Sequence, residues 1–221
     1  MRVFLYTLIG LPLLFADAVL LYTLPVRIAG RLTPVQGLIL LSGGFAYALF
    51  HFLLRKPERM YLWAHEFTHL IVAKLCLRQV RGFHITSRTG GKVVVDRTNV
   101  AIDLAPYAVP LYNLSALVPL ILLRGRYPHA REIYLGAAAF LFTMHLWFSV
   151  EGFFDGQPDV LRNGRVFSGA VVFMMLLFWV PCLAAPGTRT GFSSLPSFYR
   201  DWLGGGVALA MKLLSRGRGL L

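Results

Sequence analysis

Apolar runs long enough to cross a bilayer core, about 20 residues when helical, recur along this chain and leave little room for any other architecture. They lie at 3–26, 33–54, 100–123, 133–150 and 166–185. A shorter sixth run, 60–77, carries His65, Glu66, His69 and Lys74. Ionisable groups inside an apolar segment are costly in lipid, so they mark a functional site by default. Hydrophobic residues make up 57% of the chain and charged residues 14%, too few polar groups for an ordinary soluble domain. The expected fold is an all-α multi-pass membrane protein of about six transmembrane helices, set in a lipid bilayer, with the cell membrane the expected location.

The first run imitates a secretory signal peptide, with Arg2, an apolar stretch and Ala16-Asp17-Ala18 as a small-residue cleavage site. The apolar character continues through Leu24, so a retained anchor is expected. A net charge of +12 could suggest nucleic acid, but the basic residues form no single patch with interleaved aromatics. Instead Arg27 and Arg31, then Arg55, Lys56 and Arg59, then Arg124, Arg126 and Arg131, and finally Lys212, Arg216 and Arg218 sit between or beyond the apolar runs. They read as anchors facing anionic headgroups, and no nucleic-acid partner is expected. Such residues flank the runs on both sides, so the positive-inside rule leaves the orientation open. Cys76 and Cys182 both fall in apolar segments, which argues against a disulfide framework and against a four-cysteine metal site.

Between 78 and 99 the pattern changes from helical to strand-like. Residues 80–86 and 92–96 are rich in β-branched side chains and are separated by Ser87-Arg88-Thr89-Gly90-Gly91, which predicts a small β-hairpin. Pro106 and Pro110 predict a kinked or broken helix in the next run. The chain divides into a membrane core, 1–185, and a tail, 186–221, in which Phe192, Leu195, Phe198, Trp202 and Leu203 alternate with Arg200, Asp201 and Lys212. The tail reads either as an interfacial amphipathic helix or as a short helix packed on the bundle.

His65-Glu66-Phe67-Thr68-His69 is the segment that carries chemistry. On a helix, two histidines at i and i+4 share a face and can reach one metal ion, with Zn2+ the expected ion. Glu66 points to the same side, where it can take a proton from water at the metal. Catalytic zinc usually keeps three protein ligands and one open position, so a third ligand is needed. Glu151, Asp155 and Asp159 lie together between two apolar runs, and Asp159 follows Pro158 at the start of a helical segment from which it could reach back into the bundle. Asp159 is the first candidate, with Asp155, Glu151, His145 and Asp103 as alternatives; the rival reading of Asp159 is a helix N-cap. Asn113 and His145 are polar groups in apolar runs that could line the site or bond between helices.

On these residues the chain resembles the site-2 protease family of intramembrane zinc metalloproteases. The resemblance rests on His65-Glu66-Phe67-Thr68-His69, with looser similarity over the strand-like stretch, Leu104-Ala105-Pro106-Tyr107 and Gln157-Pro158-Asp159-Val160. It implies a zinc endopeptidase acting on a transmembrane protein substrate, with an aspartate from a later segment as third ligand, matched here by Asp159. The family's aspartate follows a leucine and precedes a glycine, whereas Asp159 stands between Pro158 and Val160. Asp155 precedes Gly156 but follows Phe154. Glu151 and Asp155 also have the spacing seen in the prenyl-protein and heat-shock membrane proteases, although Phe148-Ser149-Val150 stands where that family has an arginine. From another class, a non-catalytic membrane protein that binds metal or client helices would need the histidines but not Glu66.

Overall fold

The computed structural model describes residues 2–54, 56–86 and 90–218. Among them the chain forms α1 (Arg2–Ala29), α2 (Pro34–Leu53), α3 (Glu58–Leu75), β1 (Val80–Thr86), β2 (Gly90–Val95), α4 (Val100–Ala108), α5 (Leu111–Leu123), α6 (Ala130–Phe154), α7 (Pro158–Asn163), α8 (Arg165–Ala184) and α9 (Leu195–Arg218). The anchor position Arg55, the turn residues Ser87, Arg88 and Thr89, and the side chain of Arg218 lie outside the described residues.

Among the described residues four helices, α1, α2, α6 and α8, are long and apolar enough to cross a membrane, and α4 with α5 would make a fifth span if the bent pair counts as one. About six were expected from sequence. The difference is α3, which Glu58, Arg59, Glu66 and Lys74 make too polar to qualify. Small residues let the long helices approach closely. A Cβ on Gly43 of α2 would lie 2.3 Å from the Gly136 carbonyl of α6, and one on Gly10 of α1 would lie 2.9 Å from Cα of Phe167 in α8. These two pairs, α2 with α6 and α1 with α8, are the main helix contacts of the bundle.

The proline-rich run breaks as its sequence predicts, with a 61° bend between α4 and α5. Pro110 has no N–H to continue the ladder, so the last carbonyls of α4 need donors from elsewhere. Side chains of neighbouring helices supply them. His145 Nε2 donates to the Tyr107 carbonyl at 3.0 Å and Ser149 Oγ to the same oxygen at 3.3 Å. Trp179 Nε1 donates to the Ala108 carbonyl at 2.8 Å. α4 is consequently the most enclosed element, buried from Ile102 through Ala108.

At its C-terminus α3 turns sharply through Leu77, whose φ of 56° is the left-handed conformation. The Arg78 N–H bonds the Ala73 carbonyl at 2.8 Å and the Leu77 N–H bonds that of Lys74 at 2.9 Å, a Schellman closure that sends the chain back along α3. β1 and β2 then pair antiparallel, with Phe83 opposite Val93 and Ile85 opposite Gly91, and a bulge between Val80 and Gly82. Sequence placed Gly90 and Gly91 in the turn; both belong to β2, which lies against α3.

In the tail, Phe198 and Trp202 of α9 pack with Leu20 and Leu24 of α1 and Leu177 of α8. The indole of Trp202 donates to the Leu20 carbonyl at 3.1 Å, and Arg31 reaches Asp201 at 3.5 Å. Beyond this seam Val207, Met211, Leu213 and Leu214 are exposed, so the second half of α9 keeps an uncovered apolar face.

Candidate metal centre

α3 carries His65 and His69 on its buried face, with ring centroids 4.9 Å apart. Each ring is held from behind through Nδ1. His69 Nδ1 donates to the Ile102 carbonyl at 2.8 Å, which fixes the tautomer and leaves Nε2 with its lone pair. His65 Nδ1 lies 3.3 Å from the Tyr61 hydroxyl, which can accept its proton; Tyr61 is itself stacked on Phe148 at 4.3 Å. Both Nε2 atoms therefore face the same space.

α7 delivers Asp159 into that space. Its Oδ2 is 3.2 Å from His69 Nε2 and 3.9 Å from His65 Nε2. The three ligand atoms lie within 4.8 Å of one another and could hold a metal ion. Burial opposes charge on Asp159, yet positive charge on the His65 and His69 rings beside it, when they are protonated, holds its carboxyl well below the usual carboxylate range. It is therefore an anion at neutral pH, the form that binds a cation.

Glu66 is 7% exposed and looks into the same cavity, of about 520 Å³, whose opposite wall is β2 and the residues after it up to Thr98. Gly91 makes this possible. A Cβ at that position would lie 2.2 Å from Glu66 Cγ, so only glycine lets the strand pass so close to the carboxylate.

The other sequence candidates stand elsewhere. Glu151 pairs with Lys56 at 2.6 Å and accepts from Trp147 Nε1 at 2.9 Å, so it is engaged at the end of α6. Asp155 is exposed at the C-cap of α6. His145 spends its Nε2 on the α4 carbonyl described above. Asn113 Nδ2 bonds the Ala138 carbonyl at 2.7 Å, an interhelical contact. Asp103 is buried, but its carboxylate is taken by Thr98, by Arg162 at 2.6 Å and by Asn163 at 2.8 Å. Sequence reasoning missed Tyr61, Ile102, Gly91 and Arg162. Tyr61 alone carried a local signal, since it precedes His65 by one helical turn.

Comparison of the chain with protein-family models, with characterised proteins and with solved structures found no match.

Proposed function

We propose that the chain is a multi-pass protein of the cell membrane and a zinc metalloendopeptidase of the site-2 protease kind. Its substrate is a membrane protein, cleaved in or near a transmembrane segment. The observation that carries this reading is the convergence of His65, His69 and Asp159 with Glu66 on one cavity. Two imidazoles and a carboxylate form a zinc donor set with a fourth position left over. Tetrahedral zinc with bonds near 2.0–2.1 Å separates its ligand atoms by about 3.3 Å. The 3.2 Å spacing at His69 fits, and the 3.9 Å spacing at His65 needs a contraction of roughly half an ångström.

When bound, zinc supplies Lewis acidity, which acidifies water and polarises a peptide carbonyl. Glu66 accepts the proton of the attacking water and returns it to the leaving amine, so one carboxylate serves as base and then acid. His69 is kept in the required tautomer by the Ile102 carbonyl, and Asp159 adds the negative charge that two neutral imidazoles lack.

β2 supports the same reading. A transmembrane substrate must lose helical hydrogen bonds before its backbone can be cut, and lipid offers no replacements. One edge of β2 pairs with β1, while no third strand pairs with the other among the described residues. An extended substrate pairing there would regain backbone bonds and run past Glu66 and the histidines.

The test is Glu66→Gln, assayed in proteoliposomes against a panel of single-span test substrates. Zinc is expected to be retained and cleavage lost. Cleavage at the wild-type rate with zinc retained would refute the role of Glu66. Zinc binding without cleavage in the wild type would favour a non-catalytic metal protein.

A further inference from the structure

Arg162 stands in an unexpected place for a site built to bind a cation. It follows Asp159 by three residues on α7, and its Nη1 lies 3.7 Å from Asp159 Oδ1. An arginine that closed this gap would form a charge-assisted pair with the carboxylate and neutralise the ligand that draws the metal. It does not close the gap, because the same Nη1 is held at 2.6 Å by Asp103 Oδ1. Asp103 is 1% exposed, and its position is set from three sides. It sits in the first turn of α4, its Oδ1 also accepts from Thr98 Oγ1, and its Oδ2 accepts from Asn163 Nδ2 at 2.8 Å. Asn163 Nδ2 also reaches the Asp159 backbone carbonyl at 3.2 Å, so the amide that ties α7 to α4 braces the backbone of the ligand residue as well.

We propose that Asp103 is a positioning residue that withholds the Arg162 guanidinium from Asp159 and thereby sets the metal affinity of the His65–His69–Asp159 site. The two carboxylates compete for one guanidinium, and Asp103 wins because it offers a shorter contact in a site already built around its charge. Loss of its charge frees Arg162 to close on Asp159 Oδ1, which raises the positive potential at the metal position and draws the carboxylate's charge away from Oδ2, the oxygen that faces the histidines. The adjacent residue, Ile102, orients His69 through its carbonyl, so the first turn of α4 controls both metal-binding elements.

This inference rests on the metal-site reading above, and zinc affinity can separate the two. Zinc dissociation constants are measured on the full-length protein in detergent by competition with a chromophoric chelator. The variants are Asp103→Asn, Arg162→Gln and the double variant, with helicity followed by circular dichroism. Asp103→Asn should weaken zinc about 10- to 100-fold, the range typical of outer-shell partners. Arg162→Gln should bind at least as tightly as wild type, and the double variant should recover most of the loss. Recovery is the decisive readout, since a merely structural role for the pair predicts a double variant no better than Asp103→Asn. That outcome overturns the proposal, as does wild-type affinity in Asp103→Asn, or weakened affinity in Arg162→Gln with Asp103 intact. If Asp103→Asn does not fold, the double variant still decides: affinity near wild type upholds the proposal, and affinity weakened about 10-fold or more overturns it. No zinc binding by the wild-type protein would instead overturn the metal reading itself.

Discussion

Replacing Gly91 with alanine tests whether β2 positions Glu66, the proposed general base. The added methyl would stand 2.2 Å from Cγ, 2.7 Å from Cδ and 2.8 Å from Oε1 of Glu66. Carbon atoms in ordinary contact are about 3.5 Å or more apart, so roughly 1.3 Å must be found somewhere. β2 is held opposite Ile85 of β1, and the Glu66 backbone is fixed in the middle of α3. The glutamate side chain is the softest part, and it should rotate out of line with the attacking water. A misplacement of about 1 Å at a reacting group costs on the order of 100-fold in rate, about 2.7 kcal/mol of transition-state stabilisation. The three atoms nearest the new methyl all belong to Glu66 and none to His65, His69 or Asp159, so zinc content should stay at the wild-type level. The assay is kcat/KM for cleavage of a single-span substrate in proteoliposomes, with metal analysis of the same preparation. Gly37→Ala, where an added methyl meets nothing within 4 Å, is the control and should match wild type. Wild-type kcat/KM in Gly91→Ala would refute the idea that the strand fixes Glu66. Loss of zinc would show that the strand supports the ligands instead.

Two further outcomes follow from the geometry. Asp159→Ala should lose tightly held zinc on purification, whereas Asp155→Ala, altered at an exposed helix cap, should keep it; metal analysis of both variants checks this, and zinc retained in Asp159→Ala would remove α7 from the site. Trp179→Phe leaves the Ala108 carbonyl without its donor, which should cost about 1–3 kcal/mol and lower the thermal unfolding midpoint in detergent; an unchanged midpoint would mean that another group reaches this carbonyl.

What could be read from sequence was what one helical turn or one chain segment encodes. His65 and His69 share a face because the spacing is that of a helix, and that placement needed no tertiary information. The break before Pro110 was equally local. Asp159 was different: several acids were chemically equivalent on paper, and the choice depends on how α7 is docked. Contacts from Asp103 to Arg162 and Asn163 fix that docking, and no local pattern encodes them. Gly91 was misplaced for an instructive reason. Glycine marks turns, but it also marks strands that another group must approach closely, and a single sequence does not separate the two. His145 looked like a possible ligand because polar groups in apolar runs invite function, yet its Nε2 is used by a carbonyl that the helix break exposes.

That break has a consequence for the site as well as for α4. A straight helix over 100–123 would satisfy its own carbonyls and would bring only its side-chain surface to the centre of the bundle. Ending it after nine residues, with α5 turned aside by 61°, leaves α4 as a short post packed against α3, α6, α7 and α8. Its first turn offers the Ile102 carbonyl to His69 and the Asp103 carboxylate to α7, and its last turn draws in His145, Ser149 and Trp179. The donors gathered at one end lock α4 against α6 and α8, and the polar groups at the other end can then hold His69 and α7 rigidly. Unsatisfied backbone in an apolar interior is costly, so these two ends are not independent. A loosened C-terminal turn of α4 should be felt at the metal position even though Trp179 touches none of the ligands, and a fall in zinc affinity accompanying the lowered midpoint of Trp179→Phe would be its signature.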